Sequence, residues 1–170
     1  ISIENSSIEV SSALTSKNIY SSEDNKADSL SILNCKIKGG GYAVYMPYDT
    51  SANASNTLSI INNNISSVKA TAIHIANTIA PVIHNNIINA NNENINGINI
   101  LKSSGSGKIT NNYISQIKAG TGIWTASIIG DTANPYLFAN NLVKAGIPST
   151  SATGMYVKNA INTRIYHNTL

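Results

Sequence analysis

One eight-residue phrase, apolar-x-apolar-x-Asn-Asn-x-apolar, returns seven times along this chain. It reads ISIENSSI from Ile1, LSILNCKI from Leu30, LSIINNNI from Leu58, PVIHNNII from Pro81, GKITNNYI from Gly107, YLFANNLV from Tyr136 and TRIYHNTL from Thr163. The first of the two central positions falls at Asn5, Asn34, Asn62, Asn85, Asn111, Asn140 and His167, at intervals of 23 to 29 residues. A repeat of this period is the signature of a solenoid, because one such unit cannot bury its apolar face alone and must stack on its neighbours. Variable spacing around a fixed phrase implies constant strands joined by loops of changing length.

A second phrase, small-apolar-x-apolar, lies between the first ones. It appears as Ala43-Val44-Tyr45-Met46, Ala72-Ile73-His74-Ile75, Gly97-Ile98-Asn99-Ile100, Gly122-Ile123-Trp124-Thr125 and Gly154-Met155-Tyr156-Val157, with Asn18-Ile19-Tyr20 as its first copy. Each coil therefore carries two strands of period 2 and a short third one just after the Asn pair. Alternation turns positions 1 and 3 of the main phrase inward and brings position 8 back into the core. The predicted interior columns are Ile3, Ile32, Ile60, Ile83, Ile109, Phe138, Ile165 and Ile8, Ile37, Ile65, Ile88, Ile114, Val143, Leu170. A tube stacked at about 4.8 Å per coil accepts aligned β-branched residues, which explains a chain rich in Ile with one Phe and one Trp.

Position 6 reads Ser6, Cys35, Asn63, Asn86, Asn112, Asn141 and Asn168. By parity it faces inward at a corner. An amide there can bond the copies above and below and the backbone that the bend leaves unpaired. Position 5 is the bend itself, where Asn tolerates the left-handed conformation better than other non-Gly residues. These Asn columns are structural, not a catalytic amide set.

Two solenoids combine apolar columns with an Asn ladder. LSIINNNI also fits a leucine-rich repeat, L-x-L-x-x-N-x-L. Such repeats need return segments with helix formers, whereas here the return segments are rich in Ile, Gly, Ser and Asn with β-branched alternation. The chain instead resembles the right-handed parallel β-helix repeat of the pectate-lyase-like superfamily, through its G-I-x-I strands, its I-x-N-N-x-I corners and the closing YHNT at Tyr166 to Thr169. The resemblance covers essentially the whole chain. It implies an all-β, single-stranded parallel β-helix of about six coils with an internal Asn ladder. It does not select an activity, because that superfamily includes lyases, hydrolases, epimerases, adhesins and phage spikes.

Charged residues are only 11% of the chain, and 11 basic against 8 acidic residues leave a net charge of +3. The lysines are scattered and form no stripe suited to nucleic acid. Cys35 is alone and sits in the ladder column, as a buried structural thiol would. No apolar run is long enough to span a membrane. The chain opens and stops inside a strand phrase without a capping element, so residues 1–170 read as one β-helix domain belonging to a longer protein. This composition suits an exported, extracellular or cell-surface rod of bacterial type.

The resemblance implies, for the lyases, calcium held by acids on one face of adjacent coils with an Arg as base, and for the hydrolases a cluster of Asp residues. Here Asp49, Glu93 and Asp131 fall at unlike offsets from their repeat markers, so they do not converge on one metal or sugar. Glu23, Asp24 and Asp28 form a local acidic loop, readable as solvated or as a cation site. Arg164, the one Arg, points outward without an acid in its column. No cluster of His74, His84 and His167 with a nucleophile or metal spacing is visible. The expectation is a segment with no catalytic residues, no metal site and no cofactor.

One surface column is more suggestive. The outward residues of the second phrase stack as Tyr20, Tyr45, His74, Asn99, Trp124 and Tyr156, four of them aromatic in a chain with 6% aromatics. Flat rings at multiples of the coil spacing can stack on sugar rings while their polar edges bond hydroxyls; equally, aromatics suit the outer face of a parallel sheet. A second outward patch, Ile87, Tyr113 and Leu142, has no polar edges and reads as a covered face or a protein contact. The expected function is a non-catalytic module acting as a rigid scaffold, with a polysaccharide or protein partner on the aromatic column. The alternatives are a fragment of a polysaccharide lyase, hydrolase or epimerase whose acids lie in other coils, and an assembly subunit docking through its coil ends or apolar patch.

Overall fold

A computed structural model of the protein describes residues 1–11, 13–21, 29–47, 55–91, 93–146 and 151–170. Glu23, Asp24, Asp28 and Asp49 lie outside the described residues.

Each turn of the main phrase makes two short strands with a bend between them. The first strands are Ser2–Glu4, Ser31–Leu33, Ser59–Ile61, Val82–His84, Lys108–Thr110, Tyr136–Ala139 and Thr163–Tyr166, and they pair in parallel as a first sheet of seven strands. The second strands run from Ser7–Glu9 through Lys36–Lys38, Asn64–Ser66, Ile87–Asn89 and Tyr113–Ile117 to Leu142–Ala145, a sheet of six. The small-apolar-x-apolar phrases build a third sheet of six from Lys17–Tyr20, Tyr42–Pro47, Thr71–Ala76, Asn96–Leu101, Ala119–Ile129 and Ser151–Ile161. The chain is thus an all-β parallel solenoid without helix among the described residues. Among the described residues, therefore, no helix is long and apolar enough to cross a membrane. The leucine-rich-repeat alternative falls with the missing helices.

The predicted columns form. Ile3, Ile32, Ile60, Ile83, Ile109, Phe138 and Ile165 lie opposite one another strand by strand. From Ile32 to Phe138 they are wholly buried, as are Ile37, Ile65, Ile88 and Ile114 of the position-8 column. Each such side chain contributes about 1.5–3 kcal/mol on leaving water, so this tube of aligned Ile is the main driving force for stacking.

The bends follow. Position 5 has positive φ in every repeat, between 49° and 58° from Asn5 to His167. At this corner the parallel ladder breaks, and the position-6 amides replace it. The Asn86 backbone N–H donates to Asn112 Oδ1 at 3.1 Å, Asn86 Nδ2 donates to the same oxygen at 3.0 Å and also to the Ile60 carbonyl at 2.8 Å. Asn86 Oδ1 in turn accepts from the backbone N–H and Nδ2 of Asn63, both at 3.0 Å. The pattern repeats at Asn112 and Asn141 and ends on Asn168. At the other end, the Cys35 N–H still donates to Asn63 Oδ1 at 2.9 Å, while its buried thiol turns back to the Leu33 carbonyl at 3.3 Å. Outside the corner, Asn85, Asn62 and Asn34 form a second, exposed amide ladder.

A fourth side, absent from the sequence pattern, closes the coil. Beyond left-handed residues Asn77, Lys102, Ser127 and Asn159, two-residue segments pair from Ser55–Asn56 and Thr78–Ile79 through Ser104 to Ile129 and Ile161. Its interior holds a buried hydroxyl chain: Thr78 Oγ1 to Ser103 Oγ at 3.0 Å, and Ser103 Oγ to the Tyr136 phenol at 3.2 Å. Burial pushes that phenol well above its ordinary range.

The small residues of the second phrase also have a steric reason. A Cβ on Gly122 would stand 2.3 Å from the Val143 side chain and 2.6 Å from the Gly154 carbonyl oxygen. Backbone cannot retreat there, so Gly122→Ala is expected to destabilise by about 1–3 kcal/mol through overpacking, read as a lower denaturant midpoint. Asn86→Leu is expected to cost about 1–3 kcal/mol for each polar group it orphans, with Asn63 N–H and the Ile60 carbonyl the first to lose partners. A neutral result in the same unfolding experiment refutes the ladder's structural role.

Candidate functional site

The third sheet lines up the outward residues of the second phrase. Tyr20 lies opposite Tyr45, Tyr45 opposite His74, His74 opposite Asn99, Asn99 opposite Trp124, and Trp124 opposite Tyr156. All six therefore stand in a single row along the rod. Tyr20 and Tyr156 are 51% and 44% exposed, and the four between them are half-buried.

Strand spacing dictates what the rings do next. Tyr45 and His74 stack with centroids 4.9 Å apart and planes 20° from parallel, and Tyr20 stacks on Tyr45 at 6.0 Å and 28°. Trp124 stacks on Tyr156 at 6.1 Å and 12°. Pairs of this kind contribute about 0.5–1.5 kcal/mol beyond area burial. The row is thus two ring stacks, Tyr20–Tyr45–His74 and Trp124–Tyr156, interrupted by Asn99. Ring faces inside each stack are occupied by their neighbours. What remains outward is a set of ring edges, the two faces that border Asn99, and the outer faces of Tyr20 and Tyr156 at the two ends of the row.

Two residues outside the predicted column join it. Tyr42 packs against Tyr45 at 4.5 Å and meets the His74 ring edge-on at 6.3 Å. Lys17 holds its ammonium 4.2 Å from the Tyr20 centroid and 4.4 Å from that of Tyr45, a cation–π contact to both. They belong to a neighbouring outward row, since Lys17 lies opposite Tyr42. Strict alternation hides it: Ala43 and Val44 are both wholly buried, so Tyr42 and Tyr45 share the outer face three residues apart. A Lys and a Tyr at equal distances before Tyr20 and Tyr45 were the available signal.

Asn99 carries the site's one notable polar feature. Its Oδ1 is buried with no hydrogen-bond donor among the described residues, a state that costs about 1–3 kcal/mol. His74, beside it, is held below its ordinary range by burial alone.

The other polar groups are dispersed. Glu93 pairs with Lys69 and Glu9 with Lys38, the latter at 2.8 Å. Asp131 accepts from Ser106 Oγ at 2.8 Å, and His84 Nδ1 shares a hydrogen bond of 2.8 Å with Thr110 Oγ1. Among the described residues no three His, Cys, Asp or Glu side chains gather closely enough to hold a metal ion. On the second sheet Ile87, Tyr113 and Leu142 stack in line and remain exposed.

Comparison with known proteins finds no matching family, no matching curated protein and no matching solved structure. The class defined by the fold itself is a parallel β-solenoid whose interior corner carries stacked asparagines.

His74 yields a pH expectation. Its folded-state pKa is depressed, so between about pH 6.5, the value of a free imidazole, and that lower value the unfolded chain binds the extra proton. Stability is complete above this window and declines as pH falls through it. Urea midpoints at pH 7.5 and 5 are expected to show the decline, and His74→Phe, which keeps the stack, is expected to reduce it. An unchanged pH slope in the variant refutes the assignment.

Proposed function

We propose that this chain is a non-catalytic parallel β-helix module, related to the pectate-lyase-like solenoids, that serves as a rigid scaffold and binds carbohydrate along the outer face of its third sheet. The observation that carries the reading is the single row of Tyr20, Tyr45, His74, Asn99, Trp124 and Tyr156 on consecutive coils. Sugars present apolar faces and hydroxyl edges, and a row of two ring stacks interrupted by the Asn99 amide offers both kinds of contact. A rod with one coil per strand spacing also matches a linear polymer better than a compact ligand.

The partner we assign is a polysaccharide rather than nucleic acid, since the 11 basic residues form no continuous stripe. An exported, extracellular or cell-surface setting of bacterial type accords with 11% charged residues and with outer faces whose polarity comes from Asn, Ser and Thr. The described acids Glu9 and Glu93 are engaged in ion pairs and Asp131 in a hydrogen bond, which supports a scaffold and binding role over hydrolysis or elimination.

The test is a glycan array followed by calorimetry on the purified chain. Binding to at least one oligosaccharide is expected, and Trp124→Ala is expected to weaken it by about 1–3 kcal/mol, as for a desolvated aromatic anchor, with an unchanged circular dichroism spectrum. No binding to any glycan sinks the proposal.

A further inference from the structure

We propose that the notch over Asn99, between the facing ring planes of His74 and Trp124, is a slot for a single pyranose unit held edge-on with one sugar face against each ring. The inference rests on the carbohydrate-binding reading above and places its principal subsite. It is argued from the one interruption in the aromatic row.

His74 and Trp124 are each one strand removed from Asn99. Two strand spacings separate them, roughly 9.6 Å. His74 has one face on Tyr45 and Trp124 has one face on Tyr156, so the opposite faces look at each other across Asn99. An Asn side chain ends at its amide, while imidazole and indole reach further from the sheet. Above the amide, therefore, the two rings bound a gap with an apolar wall on either side. A six-membered ring centred there sits about 4.8 Å from both walls, close to the 4.9 Å at which this row stacks Tyr45 on His74.

The floor selects among flat occupants. Asn99 Oδ1 is buried beneath the slot without a donor, and rotation about Cβ–Cγ brings it up in place of the amino end, so that either can meet a ligand from below. A phenyl ring leaves that amide unsatisfied. A pyranose brings a ring of hydroxyls that both donate and accept. The slot also lies in the middle of the third sheet, with strands stacked on both sides of Asn96–Leu101.

Trp124 is the only tryptophan in the chain, so its fluorescence reports on this slot directly. The probes are cellopentaose, xylopentaose, mannopentaose and chitopentaose, with binding followed by calorimetry and by Trp124 emission. A saturable emission change that tracks the calorimetric isotherm is expected for at least one probe, together with protection of Trp124 from acrylamide quenching. Asn99→Phe closes the gap by joining the two stacks; it is expected to abolish the emission change and weaken binding by at least about tenfold, with no loss of thermal stability. Asn99→Ala keeps both walls and removes the amide, and an intermediate loss is expected. Acrylamide protection in the unaltered chain needs no variant and decides the matter if Asn99→Phe fails to fold. Binding that leaves Trp124 emission and quenching untouched and survives Asn99→Phe overturns the slot while the carbohydrate-binding reading stands. Absence of binding to every probe and to the glycan array overturns both.

Discussion

The corner between the first and second sheets is where this solenoid could fail. A parallel ladder pairs every backbone group with the coils above and below, but a bend at positive φ rotates the next N–H out of that ladder, and an unpaired buried N–H is costly. The chain answers with a side chain from the following coil. The carbonyl oxygen of Asn86, Asn112, Asn141 or Asn168 accepts the position-6 N–H of the coil before it, and the amide N–H groups spread upward to the next Asn and backward to a carbonyl. Asn86, Asn112 and Asn141 are each satisfied only if both neighbouring coils are present, whereas Asn168 turns its amide hydrogens to the Phe138 and Tyr166 carbonyls. Stacking and corner formation are therefore one cooperative event, and the aligned Ile columns supply the apolar gain that drives it.

From this follows the geometry of the outer surface. Once the corner sets each coil directly over the last, residues at one repeat position must lie a strand spacing apart on every face. On the third sheet that spacing equals a comfortable ring-to-ring distance, so neighbouring aromatics close on one another. A row imagined as a ladder of open ring faces becomes two self-stacked columns with one gap. The same spacing that makes the rod stable consumes most of the faces a ligand would use, and within the row it leaves two of them turned toward Asn99.

Much of the fold was legible because period-2 alternation records which side chains share a core, and seven copies of one phrase remove the ambiguity of a single strand. The position-5 bends were readable since Asn is among the few residues suited to positive φ. Other corners were not. Lys102, Gln116, Ala80 and Thr57 also adopt positive φ, and nothing in those residue types announces it; they are held there by strands paired on either side. The fourth side escaped for a related reason. A two-residue strand has no period, and its column of Asn56, Ile79, Ser104, Ile129 and Ile161 mixes amide, hydroxyl and apolar residues.

By itself, then, the amino-acid sequence determined the solenoid, the inward Ile columns, the asparagine corner and which six residues stand in the outer row. Each of these depends on alternation or on the conformational preference of one residue type, both local properties of the chain. Tertiary structure alone decided the fourth side, the inclusion of Tyr42 and Lys17, the steric need for glycine beside Val143, and the division of the row by Asn99. Those depend on distances between coils, and a distance between residues some 25 positions apart exists only after stacking.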